Sequence, residues 1–209
     1  MIFKVGIFLD ITLVPKLAFF VNLNITTMTA TTKRLITHFA TQFTAISLFV
    51  LAFSMPAAVQ AQQSPRESVT GSINGANVTI SYGSPSVRGR KIWGGLVPYD
   101  KIWRTGANQA TEIQTSKDLK IGGNTLPAGK YSIFTVPGEK EWKVIFNSQT
   151  GQWGIKQDGL ANDDPSKDVL TVMVKPEKSP AFTEKLTFKI NKDGFDLLWE
   201  NVEVPVKAK

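Results

Sequence analysis

From about residue 67 onward, apolar and polar residues alternate in short runs, and clusters of turn-forming residues separate the runs. Val78, Ile80 and Tyr82 alternate with Thr79 and Ser81, a period of two that places the apolar set on one face of a strand. Asn74-Gly75 stands just before them. Both residues tolerate the positive φ angles of a two-residue turn, so the pattern predicts a hairpin pairing roughly 67–73 with 76–83. Further strands are expected over 111–116 and 119–121, the latter followed by the turn residues Gly122-Gly123-Asn124. Pro127-Ala128-Gly129 precedes YSIFTV (131–136), and Pro137-Gly138 leads into WKVIF (142–146). The run VLTVMV (169–174) is rich in β-branched residues. Leu186, Phe188 and Ile190 alternate with polar residues, and Asn191–Gly194 turns the chain into Phe195, Leu197 and Trp199. Val202, Val204 and Val206 form the last strand signal. No window of a dozen residues carries an apolar stripe of period 3.6. Eight or more short strands joined by Gly/Pro/Asn turns predict an all-β fold, a single-domain antiparallel β-sandwich (Ig-like or jelly-roll-like) spanning residues 62–209.

The first 61 residues follow a different pattern. Lys33 and Arg34 precede the uncharged run Phe43–Met55, then Pro56 and the small-residue stretch Ala57-Ala58-Val59-Gln60-Ala61. A basic start, a short apolar core and small residues before a cut describe a secretory signal peptide. Residues 28–61 are therefore expected to be that signal, cleaved after Ala61. The core is shorter than the ~20 apolar residues a membrane span requires, so no stable membrane anchor is expected after cleavage. Residues 1–27 form a second apolar stretch broken by Asp10, Pro15 and Lys16. They are expected to be a mis-assigned extension ahead of a start at Met28. The expected location is periplasmic or secreted.

Setting the leader aside changes the charge. The whole chain has 24 basic and 17 acidic residues, net +7. Without the four basic residues and one acidic residue of 1–61, 20 basic and 16 acidic remain, net +4. A small excess spread along the chain favours solubility, whereas nucleic acid calls for a concentrated patch; no nucleic-acid partner is expected. The one histidine, His38, lies in the leader, and cysteine is absent throughout. The processed chain would then lack Ser-His-Asp and Cys-His nucleophiles, imidazole acid–base groups, thiolate or imidazole metal sites, and disulfides.

Candidate chemistry concentrates in Val87–Thr111, where 25 residues hold five Lys/Arg, two Trp, one Tyr and four Gly. Long irregular segments of this kind hold a site or a specific packing arrangement. Arg88, Arg90 and Arg104 each present a planar fork of donors suited to a carboxylate, phosphate or sulfate. The alternative is that such an Arg secures the loop by donating to its carbonyls. Trp93 and Trp153, each beside a glycine, are the candidates for an aromatic platform that would stack on a sugar, with Tyr99, Trp103 and Tyr82 as possible members; the alternative is packing. Trp142 and Trp199 sit inside strand patterns and are expected in the core. Asn108, Thr105 and Thr111 are read as loop caps or ligand contacts.

Two acidic features complete the survey. Asp100 and Glu112 would serve glycoside hydrolysis if their carboxyl groups lay roughly 5–9.5 Å apart. The loop DGLANDDPSKD (158–168) is rich in oxygen ligands but lacks the alternating order and distal Glu of a calcium loop. A solvated acidic loop is expected there, with no metal and no cofactor.

The segments SPRESV (64–69), YGSPSVRGRKIWGGLVPY (82–99), WRTGANQAT (103–111), LPAGKYSIFTVPG (126–138), WKVIFN (142–147) and WG (153–154) resemble the exported bacterial family catalogued as domain of unknown function 2911. The resemblance covers nearly all of the expected mature region and implies export and a β-rich domain. The chain departs from the pattern at Ser84, where the motif carries Arg. The expected function is a non-catalytic binding module for a glycan or anionic small molecule, with Arg88, Arg90, Trp93, Tyr99, Arg104, Asn108 and Trp153 as ligand-binding residues. A carboxylate-dependent hydrolase and an envelope assembly protein with a protein partner are the alternatives.

Overall fold

The computed structural model describes residues 63–209; the expected leader and extension lie outside the described residues. Ten strands follow in order: β1 Arg66–Ile73, β2 Ala76–Gly83, β3 Thr111–Thr115, β4 Leu119–Ile121, β5 Asn124–Leu126, β6 Gly129–Val136, β7 Trp142–Asn147, β8 Asp168–Val174, β9 Glu177–Asn191 and β10 Gly194–Lys207. Every pairing is antiparallel, and apart from one 3₁₀ turn at Pro165–Lys167 the described residues contain no helix. The fold is all-β, as the alternation indicates.

The first hairpin forms in the expected register, with Ile73 opposite Ala76. Asn74 and Gly75 have φ of 47° and 77°. Two successive positive φ angles give the turn a twist that matches its flanking strands.

Six strands make one sheet in the order β1-β2-β3-β6-β7-β8. Across it, Ile80 faces Ile113, Ile113 faces Tyr131, Ile133 faces Phe146, and Phe146 faces Leu170. Opposed residues share a face, so these positions form one continuous apolar surface. The β9–β10 ribbon and the β4–β5 hairpin supply the residues that pack on it, among them Leu186, Phe188, Phe195, Leu197, Trp199, Leu119, Ile121 and Leu126. The result is a two-layer sandwich around one large core.

The opposite face of the sheet is mostly polar, but at its β6–β7 end it carries a second, smaller apolar cluster. Phe134 and Ile145 lie opposite each other there and are covered by Ala110 and Ala161 from two loops. These loops build the candidate site.

Three details differ from the sequence pattern. The strand β5 is only three residues long and was hidden behind the Gly122-Gly123 turn. The strand β9 begins at Glu177, through a polar stretch containing Pro180, which a ribbon exposed on one side accommodates. The signals at 195–199 and 202–206 belong to one bent strand. Glu200 has a φ of 57°, and the register shifts on both sides of it, so a bulge at the polar pair Glu200-Asn201 separates the two apolar runs.

Candidate functional site

The crossover from β2 to β3, residues 84–110, holds six of the seven expected ligand residues, and the structure disperses them. Its entry is fastened from both layers. The buried hydroxyl of Ser84 donates to the Leu186 carbonyl at 2.8 Å, and its N–H donates to Pro65 at 2.8 Å.

Arg88 has a φ of 49° and an exposed side chain, and its backbone N–H donates to the Glu184 carboxylate. Arg90 folds back on its own turn, with Nε donating to the Val87 carbonyl at 3.1 Å and Nη2 to that of Ser86. The loop-securing reading thus applies to the Nε and Nη2 donors of Arg90.

Trp93 departs most from the platform reading. It is 7% exposed and sits among Trp103, Trp142 and Trp199, with ring centroids 6.0, 5.0 and 5.7 Å away, all edge to face. Trp103 and Trp199 stack at 6.0 Å. The crossover folds inward here: two of its indoles join one from β7 and one from β10. Such rings each bury about 150–250 Å², roughly 4–6 kcal/mol of gross transfer energy before ordering costs. The Trp103 N–H donates to the Gly106 carbonyl at 3.2 Å. Those of Trp93 and Trp199 have no such partner, and edge-to-face contacts with neighbouring π faces offset part of that loss. Tyr99 lies at the rim of the core with its ring against Gly94. Burial raises its phenol pKa, and the charges of Glu139 and Glu200 add to the shift.

Beyond Trp103 the chain curls tightly, with positive φ at Thr105 and Asn108. Thr111 Oγ1 donates to the Thr105 carbonyl at 2.8 Å, and Asn108 Nδ2 donates to Ser64 at 3.0 Å. Asn108 therefore caps the N-terminal arm. Trp153, by contrast, is 51% exposed. It forms a bridge with Gln109, and Ala110 N–H donates to the Gln152 carbonyl, which pins the 151–154 segment beside the crossover.

Between this segment and the arm lies an open cleft of about 380 Å³. Gln63, Ser64, Arg66, Asn108, Gln109 and Trp153 line it. Its frame depends on Glu112, whose carboxylate meets Lys130 at 3.0 Å and Arg66 at 3.4 Å and accepts the Gly151 N–H at 2.8 Å. Arg66 also donates to the Ala110 carbonyl. The sequence does not single out Arg66, Gln63 or Gln109 as ligand residues, although Arg66 falls within SPRESV and Gln109 within WRTGANQAT.

Asp100 and Glu112 occupy different places. Asp100 is held by its N–H to Pro137 at the end of β6, while Glu112 lies opposite Ser132. At about 3.3 Å per residue, these anchors stand roughly 16 Å apart along β6. In the acidic loop, Asp164 caps the 3₁₀ turn through Ser166, Asp158 accepts the Leu160 N–H, and Asp168 accepts from Asn147. These carboxylates are occupied in holding the loop.

Arg104 lies on the other side of the Trp153-Gly154 segment, lining a smaller hollow of about 140 Å³. Its side-chain stem runs directly against Gly154, where any Cβ would overlap it. Among the described residues, no acceptor takes a hydrogen bond from its guanidinium, no carboxylate lies within ion-pair distance, and Nε is buried. Burial lowers its pKa.

The family model described as Protein of unknown function (DUF2911) matches residues 64–208. No curated protein and no solved structure matches the chain.

Proposed function

As the chain belongs to this family of proteins of unknown function, its role must be read from its own surface, and we propose that it is a non-catalytic binding module whose cleft beside Trp153 takes a short glycan. One observation carries the reading. The chain has five tryptophans; four are buried together, and the fifth stands half exposed at the rim of the larger cleft. An exposed indole forgoes the stabilisation its four counterparts gain, and such a ring beside amide groups is suited to stacking on the C–H face of a sugar. Gln63, Asn108 and Gln109 add donors and acceptors for hydroxyl groups. The volume falls in the ordinary range for small-ligand sites, about 300–1,000 Å³. The exported setting rests on the leader pattern of residues 28–61.

The test is thermal denaturation of the protein against a panel of oligosaccharides, together with tryptophan emission. A bound glycan at about 100 times its Kd adds about 2.7 kcal/mol to stability, and it should blue-shift the emission of Trp153. Trp153→Ala should abolish both responses and leave the near-ultraviolet circular dichroism of the buried indoles in place. Flat melting curves for the unmodified protein across the whole panel would refute the proposal.

A further inference from the structure

We propose that the hollow at Arg104 is a second binding site, for a small organic acid that has a carboxylate head and a short apolar body. The site is separate from the glycan cleft: Trp153 faces one and Ile155 the other.

Three observations point to this ligand. First, Arg104 holds a partly buried positive charge that no described residue neutralises, and its Nε is sealed from water without an acceptor. Buried charges in folded proteins are paired, because an unpaired one carries a desolvation penalty. Arg66, a more exposed arginine nearby, is paired even so, with Glu112 and the Ala110 carbonyl. A carboxylate entering the hollow would supply the missing opposite charge, accepting N–H bonds from the Nη groups, while Nε stays sealed behind them. Second, Lys101 lines the same hollow and adds a second positive charge, with no acidic residue among the lining groups. Third, the remaining side chains around the hollow, Leu96, Ile102, Trp103, Ile155 and Ala161 among them, are apolar, so that its exposed surface is divided about evenly between polar and apolar atoms. Leu96 remains 47% exposed at its edge.

Two cations in an apolar setting favour an amphiphilic anion over a strongly hydrated one. A phosphate or sulfate ion would meet the two cations there but no side-chain hydroxyl or amide donor among the lining residues. A carboxylate with a body of a few carbons matches both the charge and the apolar side chains, and about 140 Å³ accommodates a body of that size.

Pentanoate is a direct probe, with pentanamide as its uncharged counterpart and inorganic phosphate as the hydrated anion. In a heteronuclear NMR titration of the unmodified protein, pentanoate should shift the Arg104 Nε–H resonance saturably. Pentanamide and phosphate should bind at least about tenfold more weakly. Arg104→Gln should weaken pentanoate by about tenfold or more, and Arg104→Lys should recover part of that loss. Trp153→Ala should leave the pentanoate response intact, which separates this site from the glycan cleft. An Arg104 resonance that does not move with pentanoate overturns the proposal in the unmodified protein, whatever the fate of the variants. Equal binding of pentanamide, or binding of phosphate in preference, overturns it as well.

Discussion

Arg104 is where structure and sequence differ most in consequence. Its place within WRTGAN is compatible with a role in holding the loop through carbonyls, and on that reading Arg104→Ala would leave those carbonyls unpaired. The structure shows no such bonds; the loop is held by Thr105, Thr111 and Asn108 instead. Arg104→Met keeps the stem under Gly154 and removes only the uncompensated charge. Its stability in urea should stay within about 0.5 kcal/mol of the parent or rise by about 1 kcal/mol. A loss above about 1.5 kcal/mol would restore the loop-holding role. The tryptophans teach the same lesson at one remove. Trp93 and Trp153 both precede a glycine, yet one is core and the other surface. The difference lies in which partners the fold brings to each, and composition does not record that.

The strands themselves were legible because their cause is local. Alternation fixes which face of β2 is apolar, continuous apolar runs mark β6 and β7, which are buried on both faces, and Asn74-Gly75 fixes the first register. What the pattern could not give were features set by distant partners: the inward plunge of the crossover, the bulge at Glu200, and the docking of the arm. Glu112 makes the last of these concrete. Its position in β3 is legible, but its two ion pairs and its bond to Gly151 tie the start of β1, the start of β6 and a loop to β3. Glu112→Gln should cost about 1 kcal/mol, because Lys130 and Arg66 are partly solvated and the pairs are screened. Hydrogen exchange should quicken around residues 64–66 and 150–152 well before the core opens. Unchanged protection at both places would mean that the cleft has another support. The backbone anchors of Glu112 and Asp100 stand about 16 Å apart along β6.

For the molecule as a whole, all three tyrosines, Tyr82, Tyr99 and Tyr131, have phenol pKa values raised above 10.0, in each case mainly by burial. A raised folded-state pKa means that the folded form resists ionisation while the unfolded chain ionises near 10. The associated stability is therefore full below about pH 10 and is lost as pH climbs through the folded values. Phenolate absorbance should appear together with loss of the near-ultraviolet signal in an alkaline titration. Phenolate formation near pH 10 in a protein that stays folded would contradict the burial of these rings.

The quartet of indoles has a consequence for how the chain reaches this state. Its members stand at positions 93, 103, 142 and 199, more than a hundred residues from first to last. A chain emerging from a ribosome, or threading through a pore, cannot complete that cluster until β10 has appeared. Until then Trp93, Trp103 and Trp142 lack their final neighbour, and closing so wide a span is slow. The growing polypeptide thus carries part of this apolar surface uncovered for about half of its synthesis.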